Sequence, residues 1–227
     1  MSQNTPTPDN YGIMRPFSFE HLPIRGRLIR LANVTDHINA LELGDADLAS
    51  TLSEMLMAAV VLAFDMKDNA NITLQITSEG DVPLLLAKCN YKGVLRAFAK
   101  KDAPTEETEA ALENAPKDQN KSVFTITVDY GRGEESYQSI VPLTENSVSK
   151  AVEEYFQTST QRQTLFKVFT STDTKGSTSC GAMFLQAIPQ QESATENTPD
   201  DDFDDHWRRM QLLLSTLHAH EVLPGEV

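Results

Sequence analysis

The chain has 227 residues, a hydrophobic fraction of 40% and a formal net charge of −14 at pH 7. This length allows one large domain, or one domain with an appendage, around a packed core. The acidic balance argues against a nucleic-acid partner, because phosphates require clustered Lys and Arg.

The N-terminal segment has no feature of an export signal, since it is polar and lacks both a charged region and an apolar stretch. The longest apolar run extends from Met55 to Phe64, and a membrane-spanning helix needs about 20 residues. We therefore expect a soluble, cytoplasmic protein with no membrane partner. Residues 1–15 are expected to form a disordered tail.

Hydrophobic patterning in the first half predicts an α+β fold, with a mostly antiparallel curved sheet flanked by helices. A strand is predicted over residues 24–31, then a short helix from Thr35 or Asp36, then a longer helix with an apolar face ending near Phe64. Three strand-like segments within residues 72–99 are joined by connections too short for a crossover. They are therefore expected to form an antiparallel meander.

The second half continues this pattern after a polar excursion at residues 101–121. A strand with alternating apolar residues is followed by a glycine turn and a second strand, which predicts a hairpin. An amphipathic helix capped by Asn146 or Ser147 comes next, and two more strands follow it. The predicted elements are strands at 124–128, 136–143, 165–169 and 182–188, with the helix between the second and third of them.

The composition changes after Pro189. Residues 190–206 contain seven acidic residues and no Lys or Arg, and a segment of this kind cannot order itself by burial. Apolar residues then recur at helical spacing from Phe203 to Leu217, so this helix must dock on its own core, a second subunit or another protein. The predicted organisation is a core domain at 16–189, followed by an acidic linker and helical linker region at 190–227.

Seven short segments, in this order and spacing, resemble the redox-regulated thirty-three-kilodalton heat-shock chaperone family of bacteria, the HslO family. They are Ile24–Leu28, Leu62–Asp65, Ile72–Gln75, Ser136–Val141, Glu154–Ser159, Gly181–Gln186 and Asp201–Phe203. The resemblance implies an ATP-independent holdase that binds unfolding client proteins and forms a homodimer. It also implies a C-terminal domain in which four cysteines hold zinc and form disulfides on oxidation.

The sequence departs from the family in its cysteines. The C-x-C and C-x-x-C zinc ligands do not occur before Val227, and Cys89 and Cys180 do not match that pattern. We expect no metal or other cofactor in this chain, and constitutive rather than redox-switched binding. The chain is interpreted either as a truncated form or as a natural form without the zinc domain, and truncation is favoured.

The sequence contains no recognisable catalytic motif, so we expect a protein that is not an enzyme. A Cys–His nucleophile pair and a metal site built from the acids and histidines near His206 and His218 are both disfavoured, for lack of a local signature and of a shared helix face. The alternative to a holdase is a constitutive peptide- or partner-docking domain. Candidate client contacts are the apolar residues Ile72, Leu74, Tyr137, Ile140, Phe203, Trp207, Met210 and Leu214.

Overall fold

The computed structural model describes residues 12–31, 34, 46–66, 70–78, 84–100, 122–131, 135–143, 147–172, 178–188 and 200–223. The chain divides into two compact units. The terminal unit combines Met1–Val34 with Phe156–Val227, and the central unit is Thr35–Tyr155.

The strands are β1 (Ile13–Ser18), β2 (Ile24–Leu31), β3 (Asn71–Ser78), β4 (Leu84–Cys89), β5 (Leu95–Lys100), β6 (Ser122–Asp129), β7 (Tyr137–Pro142), β8 (Thr164–Thr172) and β9 (Thr178–Ala187). The helices are α1 (Ala46–Asp65), α2 (Val148–Thr160), α3 (Asp200–Thr216) and α4 (Ala219–Val222).

The central unit contains a five-stranded sheet in the order β5-β4-β3-β6-β7, with every neighbouring pair antiparallel. Alternation in β3 buries Ile72, Leu74 and Ile76, as expected when successive side chains point to opposite faces of a sheet. Helix α1 packs against β3, β4 and β5. The predicted antiparallel meander of these three strands is therefore confirmed.

Helix α1 is also long and apolar enough to cross a membrane if only length and composition are considered. In the structure, 61% of this stretch is buried within the protein, and side chains such as Leu52, Met55 and Leu62 are completely buried. The core helix of a folded domain has the same length and composition, so the pattern is weak support for a membrane span.

Helix α2 begins after Ser147, whose hydroxyl oxygen accepts a hydrogen bond from the backbone N–H of Lys150 at 3.3 Å. This bond satisfies one of the N–H groups that a helix leaves open at its start. The apolar stripe of α2 is buried at Val148, Val152 and Tyr155. Of the two predicted capping residues, Ser147 forms the cap, while Asn146 lies outside the described residues.

The terminal unit contains a four-stranded antiparallel sheet in the order β1-β2-β9-β8. One of its faces buries Phe166 and Phe184, whose ring centroids are 6.4 Å apart, and the ring of Phe156 in the second half of α2 lies 5.3 Å from that of Phe184. On β2, a Cβ atom at Gly26 would collide with the ring of Phe17 on β1. Glycine at this position lets the aromatic ring lie directly on the strand.

The α+β class is confirmed, but the strands form two antiparallel sheets instead of one. Strand β1 begins at Ile13, so the last three residues of the predicted tail belong to a strand. Strands β8 and β9 are longer than predicted and extend into the loop expected between them. The predicted helix after Thr35 and the excursion at 101–121 lie outside the described residues. The division of the chain at Pro189 remains a prediction.

Candidate functional site

One face of the four-stranded sheet is apolar and lies under the C-terminal helices. Its buried centre consists of Ile24 on β2, Leu165 on β8 and Leu185 on β9. The cross-strand register pairs Leu165 with Leu185 and aligns Ile24 with Ala187, so these residues form a continuous surface over three strands. We call this surface, together with Met183, Ala187 and Phe169, the covered face.

Helix α3 supplies the side chains that cover this face. Trp207, Met210 and Leu214 pack on its centre and are 8%, 9% and 9% exposed. Phe203 is half-buried and its ring stacks on Trp207, with ring centroids 6.0 Å apart. The predicted apolar stripe of this helix is therefore confirmed, and of the three docking partners that the sequence left open, the helix packs on the chain's own core.

The end of α3 is held by a lysine in the neighbouring strand. The amino group of Lys167 on β8 donates hydrogen bonds to the backbone carbonyls of Leu214, Ser215 and Leu217 at 2.9, 3.0 and 3.0 Å. The last carbonyls of a helix carry partial negative charge and have no partner within the helix, so a cation there is favourable. Sequence patterning alone does not single out Lys167, although it alternates in register with Leu165 and Phe169 on the apolar face.

Helix α4 extends the cover over the other end of the same sheet. Val222 and Leu223 form a second buried cluster with Phe169. A Cβ atom added to Gly181 on β9 would lie 2.8 Å from Leu223 and 3.0 Å from Val222. Glycine thus permits the close approach of α4, and Met183 and Leu217 contact both clusters.

A buried polar atom lies beside this second cluster. Arg30 pairs with Gly181 across the β2–β9 ladder, and its Nε atom is buried without a hydrogen-bond partner among the described residues. Leaving such a donor unpaired costs about 1–3 kcal/mol. Exposure of this end of the sheet to water would recover that energy.

The four candidate contacts in the central unit differ in exposure. Ile72 and Leu74 are 1% and 0% exposed within the sheet, whereas Tyr137 and Ile140 on the edge strand β7 are 49% and 45% exposed. Phe203, Trp207, Met210 and Leu214 come together on the covered face of the terminal unit. The assignment of these eight residues as client contacts remains a prediction.

The cysteines present do not fit the zinc site that the family resemblance implies. Cys89 lies on β4 and Cys180 on β9, in different sheets, and both are buried free thiols. Burial raises the pKa of Cys89 from 9.0 to about 11, which disfavours the thiolate that binds metal or reacts with oxidants. Among the described residues, no group of His, Cys, Asp or Glu could hold a metal ion.

The family model for the Hsp33 protein matches residues 13–225. The chain belongs to the Hsp33 family. Curated relatives carry the name 33 kDa chaperonin. The relative from Hahella chejuensis is 30% identical over 94% of this chain and 70% of its own length. The relative from Haemophilus influenzae strain PittEE is 30% identical over 99% of this chain and 72% of its own length. The relative from Pseudomonas fluorescens is 31% identical over 91% of this chain and 65% of its own length.

A solved structure of an Hsp33 homologue from Thermotoga maritima has the same fold, with a TM-score of 0.69 and 16% sequence identity. The superposition covers 94% of this chain and 70% of that one. The family resemblance read from the seven sequence segments is therefore confirmed. The chain spans 65% to 72% of the length of the curated relatives described above.

Proposed function

We propose that this chain is an ATP-independent holdase that captures unfolding proteins on the covered face of its four-stranded sheet when α3 and α4 move away. The observation that carries the proposal is the contact of Trp207, Met210 and Leu214 with Ile24, Leu165 and Leu185. When this continuous apolar surface is exposed, it can bind other apolar chains, because burial removes it from water. The family membership supports chaperone function in general.

Helix α3 has the properties of an element that can detach from the sheet. Most of the stability of a helix in a protein comes from tertiary packing of its apolar face, so the 17-residue helix α3 depends on its contact with the sheet. Its buried side chains lie in a single stripe, while Leu212 and Leu213 on its outer side are each 62% exposed. Elements with few buried contacts open at lower free energy than core strands do. The paired strands beneath it, in contrast, are held by ladders on both sides of β2 and β9.

We further propose the partners, cofactor requirement and location of the chain. The partners are unfolded or partly folded proteins, and the chain acts as a homodimer in the cytoplasm. No cofactor takes part, and binding is constitutive, since neither Cys89 nor Cys180 is accessible to an oxidant. No reaction is catalysed, so capture depends on surface alone.

Light scattering from a thermally unfolding client enzyme tests the proposal. We expect suppression of aggregation at equimolar chain, unchanged by ATP, peroxide, reductant or chelator. Absence of protection at a tenfold molar excess would contradict the holdase function. Protection that requires peroxide would contradict its constitutive character. Binding to one folded partner, with no effect on unfolding proteins, would favour the docking-domain alternative.

A further inference from the structure

The outer side of β4 and β5 in the central unit carries a second surface with different chemistry. Lys88 and Arg96 are direct cross-strand partners, and Leu86 is opposite Phe98 in the next row on the same face. Lys88 and Arg96 are exposed, and Phe98 is 46% exposed. With Lys100 at the end of β5, these residues form what we call the basic face.

The basic face is unusual in a chain with a net charge of −14. Like charges directly opposite each other in a sheet are unfavourable for folding. In the part of the chain that the structure describes, no acidic side chain forms an ion pair with Lys88, Arg96 or Lys100. The three cations therefore concentrate positive charge around an exposed aromatic ring.

We infer that the basic face binds an acidic, extended polypeptide segment of a partner protein. Strand β5 is at the edge of the described sheet, and an edge strand can pair with an incoming peptide. Arg96, Phe98 and Lys100 alternate along β5 on one face. A peptide paired with this edge presents every second side chain to that face, so the matching pattern is acidic-x-apolar-x-acidic.

The same surface fits nucleic acid less well. Phosphate backbones need many cations along their length, and this face is built on three, Lys88, Arg96 and Lys100. Leu86 and Phe98 lie between the cations and offer contact to an apolar side chain rather than to phosphate. The small number of cations and the apolar centre thus favour a short acidic polypeptide segment.

Fluorescence anisotropy with a labelled peptide that repeats Glu-Ser-Leu-Ser and ends on Glu, which keeps every Glu and Leu on one face of an extended strand, tests this inference. The variant Lys88→Gln/Arg96→Gln/Lys100→Gln is expected to bind about tenfold more weakly, which corresponds to about 1.4 kcal/mol. The control variant Arg15→Gln/Lys150→Gln/Arg208→Gln removes three exposed cations elsewhere and has the same net charge of −17, from −14 − 3. It is expected to bind like the parent chain.

Phe98→Ser leaves every charge in place and is expected to weaken binding as well, while a peptide with Gln in place of Glu is expected not to bind. Affinity should fall at high salt, because exposed charges are screened. Equal weakening in the control variant, binding of the Gln peptide, or equal binding of a dodecameric oligouridylate would each overturn the inference. Circular dichroism verifies that every variant is folded. Because no aggregating client is present, failure here leaves the holdase proposal unaffected.

Discussion

The amino group of Lys167 donates a hydrogen bond to the backbone carbonyl of Leu214 at 2.9 Å, and thereby joins strand β8 to the last turn of α3. The same amino group lies 5.2 Å from the centre of the Phe169 ring. A single side chain thus binds the end of the covering helix and contacts the apolar face beneath it. This position makes Lys167 the residue most directly placed to control how firmly α3 is held.

Replacement of Lys167 by Met keeps an unbranched side chain of nearly the same length but removes all three hydrogen bonds to carbonyls. We expect the docking of α3 on the sheet to be weakened by about 2 kcal/mol, since hydrogen bonds from charged groups contribute about 1.5–3 kcal/mol. Limited proteolysis should cut within α3 several-fold faster, and client protection should increase at low chain concentration. Lys150→Met, on the exposed side of α2, is the matched control. A variant with unchanged proteolysis would show that Lys167 does not hold the helix.

Trp207 is the only tryptophan of the chain, so its fluorescence reports on α3 directly. Its burial to 8% exposure predicts blue-shifted emission in the docked state. On warming, the emission should shift to the red before the far-ultraviolet signal of the sheets is lost, because α3 opens at lower free energy than the strands. Coincident transitions would indicate that helix and sheet unfold as one unit.

Truncation of Leu214 to Ala should weaken the docking of α3 on the sheet by about 2–3 kcal/mol, because a buried leucine contact with the sheet is removed. The Trp207 transition is therefore expected at a lower temperature. Leu213→Ala removes a side chain of the same kind that is 62% exposed, and is expected to leave the transition unchanged. Equal shifts in both variants would contradict the packing of Leu214 on the sheet.

Gly181→Ala tests the close approach of α4 to β9. The new methyl group would lie 2.8 Å from Leu223 and 3.2 Å from the backbone oxygen of Ile29, so the helix must move outward. We expect faster hydrogen exchange in residues 219–223 with little change in β6 or β7. Unchanged exchange in α4 would mean that the contact tolerates a methyl group.

Cys89 should react slowly with iodoacetamide at pH 8 in the folded chain, because burial raises its pKa to about 11 and leaves little thiolate. The same shift makes stability depend on pH. The contribution of the buried Cys89 thiol to the free energy of unfolding is complete below its pKa in the unfolded chain, which is about 9. It is lost as the pH rises to about 11, because the unfolded chain then binds fewer protons than the folded chain. Urea unfolding between pH 8 and pH 10 should show this decline, and Cys89→Ala should show less of it.

Tyr155 contributes to the same decline at higher pH. Burial first, and then the nearby Tyr137, Tyr130 and Asp65, raise its pKa to about 12. The contribution of the buried Tyr155 phenol to the free energy of unfolding is therefore lost between about pH 10 and pH 12. Measurements below pH 10 separate the effect of the thiol from that of the phenol.

Periodicity located most of the elements correctly. The alternation in residues 72–76 predicted β3, and the spacing of Phe203, Trp207, Met210 and Leu214 predicted α3 with its buried stripe. The cap at Ser147 was predictable, because a hydroxyl before an amphipathic segment satisfies open N–H groups at short range. Strand β1 was missed as a whole, because its residues follow a polar segment and were predicted in part as a tail. The ends of β8 and β9 were not predicted, since polar strand ends carry no apolar signal.

The amino-acid sequence by itself determined the class of most elements, the apolar faces of the long helices and the family to which the chain belongs, because these depend on local periodicity and on short segments in order. Only the tertiary structure decided that the strands form two sheets, that β2 lies beside β9 with Arg25 bound to Gln186 over a separation of 161 residues, and that Lys167 holds the end of α3. Alternation specifies that a strand has a buried face. The segment that packs on that face is chosen among distant parts of the chain, and a local sequence pattern carries no information about that choice.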